Sequence, residues 1–195
     1  MPRYALTILL KEKLLKSHTS VWLRHCAGQI RKKQVRKIIM IQKRYMRLAI
    51  KEAGINLKKM SGGPFGACIV KGERVLSVAR NTVLKNDATC HAEINAIRKA
   101  SKKLKDFDLS GCIIYSTTEP CPMCFSAIYW ASISTIIYGT NISDADKIGF
   151  NELKINNFKL KTMGKCKIKI IKGFMLKECR KLLSDWNLLE NKVVY

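Results

Sequence analysis

Acidic residues are scarce in this chain: 14 Asp and Glu stand against 37 Lys and Arg in 195 residues, for a net charge of +23. Aromatic residues make up only 8%, and few of them interleave the basic ones, so the sequence lacks the stacking platform of a single-strand binder. No apolar run reaches the roughly 18 residues that cross a bilayer, and no membrane span is expected. Internal repeats and low-complexity linkers are missing too, which excludes a solenoid. A secretory signal with a small-residue cleavage site is absent. The eight cysteines therefore do not read as a disulfide framework: Cys68 and Cys112 lie in apolar, strand-like runs, and Cys121 and Cys124 share a C-x-x-C. A reducing cytoplasm is the expected compartment.

The positive charge is unevenly spread. Residues 1–39 carry ten Lys and Arg against Glu12 alone, +9 of the total. This basic, partly amphipathic extension reads as separate from the remainder, 40–195. It suits a nucleic-acid or membrane-surface arm, an organelle transit peptide, or sequence ahead of a true start at Met40. The last is the reading adopted, because a helix opening near Met40 with Ile41, Tyr45, Leu48 and Ala49 makes a natural first element. The +14 that remains fits either phosphate contacts or lysines on solvated faces of a Lys- and Ile-rich chain. At 47% hydrophobic content, residues 40–195 are long enough for one core and too short for two catalytic domains.

Against these absences stands His91-Ala92-Glu93, followed by Pro120-Cys121-Pro122-Met123-Cys124. Taken singly, the cysteines suit a thioredoxin-like redox pair or half a zinc ribbon, His91 a helix-start or core histidine, and Glu93 a solvated helix residue. In this order, with proline before the first cysteine, they match the signature of the zinc nucleobase deaminases. Three ligands, His91, Cys121 and Cys124, leave a tetrahedral zinc one open position for a water that ionises near neutral pH, and Glu93 is free to move protons. One zinc per chain follows. Cys90 is no fourth ligand, since adjacent helical residues point apart.

The local pattern agrees. Asp87 or Thr89 suits the N-cap of a helix over about 90–102, with Ile94, Ile97 and Ala100 on one face and His91 and Glu93 in its first turn. The β-branched run 112–118 predicts a buried strand, and Pro122 suits the first position of a helix reaching about Ala131. That helix start favours negative charge and so helps keep both sulfurs as thiolates. Elsewhere the sequence predicts a helix over 40–53 and strands at 67–71 and 74–80, joined by a turn at Lys71-Gly72-Glu73. A strand at 135–139, a short helix near 144–148, a strand at 166–172 and a helix over 176–189 follow. Such alternation makes an α/β fold, a three-layer α/β/α sandwich with a mixed central sheet.

Several further stretches, Gly63-Pro-Phe-Gly-Ala67, Asn86-Asp87, Ala127-Ile-Tyr-Trp-Ala131, Gly149-Phe-Asn-Glu152 and Trp186 with Asn191-Lys-Val-Val-Tyr195, resemble the bacterial guanine deaminases of the cytidine deaminase superfamily. The likeness covers about residue 40 to Tyr195. It implies zinc on His91, Cys121 and Cys124, with Glu93 shuttling a proton from the metal-bound water to a ring nitrogen. Glu152 then matches a second acid that protonates the departing amino group as guanine becomes xanthine. Asn81 would hydrogen-bond the purine, Phe65 would stack on it, and Trp130 and Tyr195 would form the wall or lid of the pocket, with the tail exchanged across a homodimer. A tRNA adenosine deaminase shares the zinc motif and suits the basic charge. Guanosine and cytosine are further substrates within the same chemistry. A non-catalytic zinc-binding RNA module gives Glu93 and an open coordination position no purpose.

Overall fold

The computed structural model describes residues 43–195. The basic extension 1–39 and the start at Met40 lie outside the described residues. Helix α1 runs over 43–54 and is followed by a single turn, α2 (Asn56–Lys59). Strands β1 (Gly66–Lys71) and β2 (Arg74–Arg80) form a hairpin closed by Gly72-Glu73, where Gly72 has φ +57, a conformation glycine adopts without a Cβ clash. Then come α3 (Ala92–Leu104), β3 (Cys112–Thr118), α4 (Pro122–Trp130) and β4 (Thr135–Thr140), followed by α5 (Ile142–Asp146), α6 (Asn157–Met163), β5 (Lys169–Ile171) and α7 (Leu176–Asn187).

The sheet has the order β2-β1-β3-β4-β5. Strand β1 is antiparallel to both β2 and β3, whereas β3, β4 and β5 run parallel. Alternation along the strands divides the two faces. Ala67, Ile69, Cys112, Ile114 and Ile136 pack with Ala92, Ala96, Ala100, Phe125 and Ile128 of α3 and α4. On the opposite face Tyr115 meets Tyr45 of α1 at 5.5 Å between ring centroids. Helix α1 crosses so near that a Cβ on Gly66 would sit 2.2 Å from the Ala49 carbonyl oxygen, and α7 packs its Cys179 onto Gly139 in the same manner. Those two glycines are what let the second layer of helices seat. The result is the three-layer α/β/α sandwich with a mixed sheet that the sequence predicts. Among the described residues no helix is long and apolar enough to cross a membrane.

Three expectations change. The face that α3 buries is the stripe Ala92, Ala96 and Ala100, with Ile97 only partly covered. Small side chains at i, i+4, i+8 let a helix approach a sheet more closely than branched ones. The N-cap of α3 is neither Asp87 nor Thr89 but His91, in extended conformation (φ −64, ψ 159). Asp87 instead accepts from Thr89 N–H and Oγ1–H and organises the preceding loop. Strand β5 holds only three residues, because only Lys169–Ile171 find a partner on β4. In addition, the sequence analysis names no element over 153–165, yet α6 forms there: Asn156 caps it by accepting from Lys159 N–H at 2.8 Å, local chemistry that a Lys- and Asn-rich composition masks.

Candidate active site

The parallel strands end together at Thr118 and Thr140, and the antiparallel start of β1 lies beside them through the pairing of Ala67 with Ser116. Open α/β sheets present their clefts at such carboxyl ends. Two helices begin there. His91 and Cys121 occupy the N-cap positions of α3 and α4, both extended and neither capping its helix with its side chain. The residues that usually satisfy the first N–H groups are thus turned toward each other. Pro122 follows at the first helical position, as expected, and Cys124 comes two residues later.

His91 Nδ1 lies 3.6 Å from Cys121 Sγ and 3.6 Å from Cys124 Sγ, and the three donor atoms all fall within 4.8 Å of one another. A tetrahedral zinc with Zn–S near 2.3 Å and Zn–N near 2.0–2.1 Å holds nitrogen and sulfur ligands about 3.6 Å apart. The donor set therefore has the chemistry and the spacing to hold zinc through Nδ1. The neighbouring Cys124 thiol, with help from His91, holds Cys121 down to about 4 despite its burial, while the Cys121 sulfur and burial push Cys124 well above the usual thiol range. Cys121 is thus a ready thiolate, while Cys124 gives up its proton on metal binding.

Two carboxyls face this cluster. Glu93, on the first turn of α3, is 5% exposed. Burial raises it above its usual 4.5. Ser116 Oγ donates to Glu93 Oε1 at 2.8 Å, and the Cys124 sulfur lies 3.5 Å from Oε2. Glu152 comes from the connection between α5 and α6. Its carboxyl is pushed up to about 7, first by burial and then by the nearby Cys121 sulfur, with His91 opposing. Both line one cavity with Phe65, Asn81, His91, Cys121, Phe150 and Tyr195.

Part of the cavity wall belongs to a closed polar circuit. Tyr195 Oη donates to Asn81 Oδ1 at 2.8 Å and accepts from Gly63 N–H at 2.9 Å. Val83 N–H also donates to Asn81 Oδ1, which fixes the amide's orientation and leaves Nδ2 the one side-chain group of Asn81, itself 1% exposed, without a protein partner. Asn56, buried on α2, donates from Nδ2 to the Gly63 and Asn81 carbonyls at 2.8 Å each. Phe65 meets Phe150 edge-on at 4.8 Å, and Phe150 meets Tyr195 at 5.4 Å.

Eight of the nine sequence-predicted residues are thus brought together. Trp130 is not. It ends α4 at 75% exposure, edge-on to Tyr129, because nine residues of helix carry it about 13 Å from Cys121. Tyr195 seats in the pocket of its own chain. The sequence reading passed over Ser116, Asn56 and Glu119. For Ser116 and Glu119 the signal was polar side chains at the buried end of an apolar strand, whereas nothing local marks Asn56.

The family model for the cytidine and deoxycytidylate deaminase zinc-binding region matches residues 40–140. The chain belongs to this deaminase family. Among curated members, the guanine deaminase of Bacillus subtilis is 48% identical over 92 residues, 47% of this chain and 59% of that protein. The chain thus covers less than two thirds of that relative's length. The tRNA-specific adenosine deaminase of Buchnera aphidicola subsp. Schizaphis graminum is 35% identical over 150 residues, 76% of this chain and 93% of that protein. The solved guanine deaminase of Nitrosomonas europaea superposes with a TM-score of 0.68 at 25% identity, covering 74% of this chain and 84% of that one. The matched region, residues 40–140, includes the His91-x-Glu93 and Pro120-Cys121-x-x-Cys124 segments, whose His91, Cys121 and Cys124 donors come together here.

Proposed function

We propose that this chain is a zinc-dependent hydrolytic deaminase of a free purine base, converting guanine and water to xanthine and ammonia, with His91, Cys121 and Cys124 as the ligands of one zinc per chain. Zinc on two thiolates and one imidazole supplies an activated water for attack on an aminated ring carbon. Glu93 takes a proton from the attacking water and passes it to a ring nitrogen as C2 of guanine is attacked. Glu152 gives a proton to the departing amino group as the C2–N bond breaks, and the proton of the hydroxyl left on C2 restores that acid, so that C2 becomes a carbonyl and ammonia leaves. Asn81 Nδ2 meets an acceptor on the purine, and Phe65 lies against its ring.

The observation that carries this reading is the tie of Tyr195, which lines the cavity, to Asn81 and Gly63. A cavity walled by the chain's own last residue suits a small planar base. That residue would have to be displaced before a nucleotide in a polynucleotide could enter. The second reading, a tRNA adenosine deaminase, draws on the 35% identity that spans 93% of the Buchnera relative and on the basic charge. Ammonia release from guanine, guanosine, cytosine, adenosine and tRNA decides between them. Guanine should be turned over fastest, and preferential turnover of tRNA would replace the first reading by the second.

The environment of Glu152 sets a pH dependence. A carboxyl raised to about 7 stays partly protonated at neutral pH, so it can act as an acid, and it loses that capacity as pH rises. A dication on the neighbouring ligands draws the value down. The profile of kcat/KM is therefore expected to fall through a limb no higher than about 7 and above the ordinary 4.5. Residual activity of Glu152→Gln should lack that limb, and a wild-type profile flat to pH 8 would remove the acid role.

A homodimer with exchanged tails is part of the proposal. Helix α7 ends at Asn187, so only the path of the following residues need change for Tyr195 to reach a partner's pocket, and sedimentation velocity tests the dimer. Residues 1–39 are proposed as an extension separate from the deaminase domain 40–195, which mass spectrometry of the native N-terminus checks. The compartment assigned is the cytoplasm, where the ligand thiols stay reduced. A wholly oxidised Cys121–Cys124 pair in protein from its host would contradict it.

A further inference from the structure

Glu119 is 6% exposed, carries no part of the proposed chemistry, and directly precedes the metal-binding loop. A buried carboxylate is costly unless its oxygens are satisfied. Here Oε1 accepts from Asn157 N–H at 2.8 Å and Oε2 from Ile142 N–H at 3.3 Å. Those are the first residues of α6 and α5, whose N–H groups have no acceptor within their own helices. The Tyr138 phenol lies near the same carboxylate, and burial and then that charge raise it above its ordinary value. One residue on, the Pro120 carbonyl accepts from Asn157 Nδ2 at 2.6 Å.

Helices of five and seven residues do not hold their place by intrinsic helicity. Both are nevertheless pinned at their starts, and the connection between them carries Phe150, Asn151 and Glu152. One carboxylate therefore holds both helices that flank Glu152, two residues from a proposed zinc ligand.

We infer that Glu119 is a positioning residue that sets Glu152 at a fixed place relative to the Cys121 loop by clamping the starts of α5 and α6. The inference rests on the deaminase reading, in which Glu152 acts on the leaving group. Glu119→Gln keeps the size of the side chain but offers one oxygen to two backbone donors, so one helix start is released. Zinc stoichiometry should hold, because no ligand is touched, and KM should change less than kcat, because the Asn81–Tyr195 wall stays in place although Glu119 itself borders the cavity. The kcat should fall about tenfold, the usual cost of loosening a residue that orients a working group.

The decisive measurement is a double-mutant cycle on kcat for ammonia release, paired with amide hydrogen exchange of peptides covering 142–157. If Glu119 acts through Glu152, the tenfold loss shrinks to less than about twofold in a Glu152→Gln background, and exchange over 142–157 accelerates in Glu119→Gln. Losses that multiply, or unchanged exchange, overturn the inference. Asn157→Ala, which cuts only the bond to Pro120, repeats the cycle with a milder lesion should the first variant not fold. Its smaller loss must likewise vanish beside Glu152→Gln. If wild-type protein released no ammonia from guanine, the functional reading would fail, and the exchange measurement would still decide whether the clamp exists.

Discussion

Glu93→Gln is expected to lower kcat by at least about 10²–10⁴-fold, the range carried by a positioned general acid–base, while the protein keeps a full complement of zinc. The substitution is close to isosteric, so α3 retains its packing. Ser116 Oγ, which donates to Glu93 Oε1 at 2.8 Å, can donate to the amide oxygen in the same way. What disappears is the capacity to accept a proton. Burial already raises the Glu93 carboxyl above its ordinary value, which favours its taking up a proton. Ammonia release and metal analysis on the same preparation test this together. Near-wild-type turnover would remove the proton shuttle, and loss of zinc would make Glu93 part of the metal site instead.

Stripping the metal is expected to abolish activity and to destabilise the fold together, with both restored by zinc. His91 and Cys121 are the N-cap residues of α3 and α4, so an ion held by them ties two helix starts to one point. A ligand present at 1,000 times its dissociation constant stabilises the native state by about 4 kcal/mol. For a chain of this size that corresponds to a fall in Tm of roughly 8–16 °C on removal, at about 2–4 °C per kcal/mol. Cys121→Ala should copy the chelated protein on both counts and fail to recover with added zinc. Since binding displaces the proton of Cys124, affinity should weaken as pH falls. Metal-free protein that is fully active would defeat the zinc reading, as would an unshifted thermal transition together with retained turnover.

The chemistry of the cluster was legible in the chain because its parts are local. Cys121 and Cys124 are spaced for one helix turn, Pro122 marks the start of that turn, and His91 and Glu93 share the opening of another. Strands β1 to β4 were legible for the same reason, since β-branched runs between turn residues specify their own extended conformation. Where side-chain pattern and packing compete, local reading fails. Ile94 and Ile97 look like the buried face of α3, yet the alanine stripe is what fits against the sheet. Trp130 looks like a pocket wall until the length of α4 carries it to the surface.

The sequence by itself determined which donor atoms and which acid gather at the candidate site, because ligand spacing within a turn and helix-start chemistry are encoded in a few consecutive residues. Only the tertiary structure decided which residues wall the cavity. The bond from Tyr195 to Asn81 spans 114 positions and that from Gly63 to Tyr195 spans 132, and the Glu119 carboxylate joins the starts of two helices that no local pattern connects to it. Bonds of that reach exist only after the sheet has brought its strand ends together.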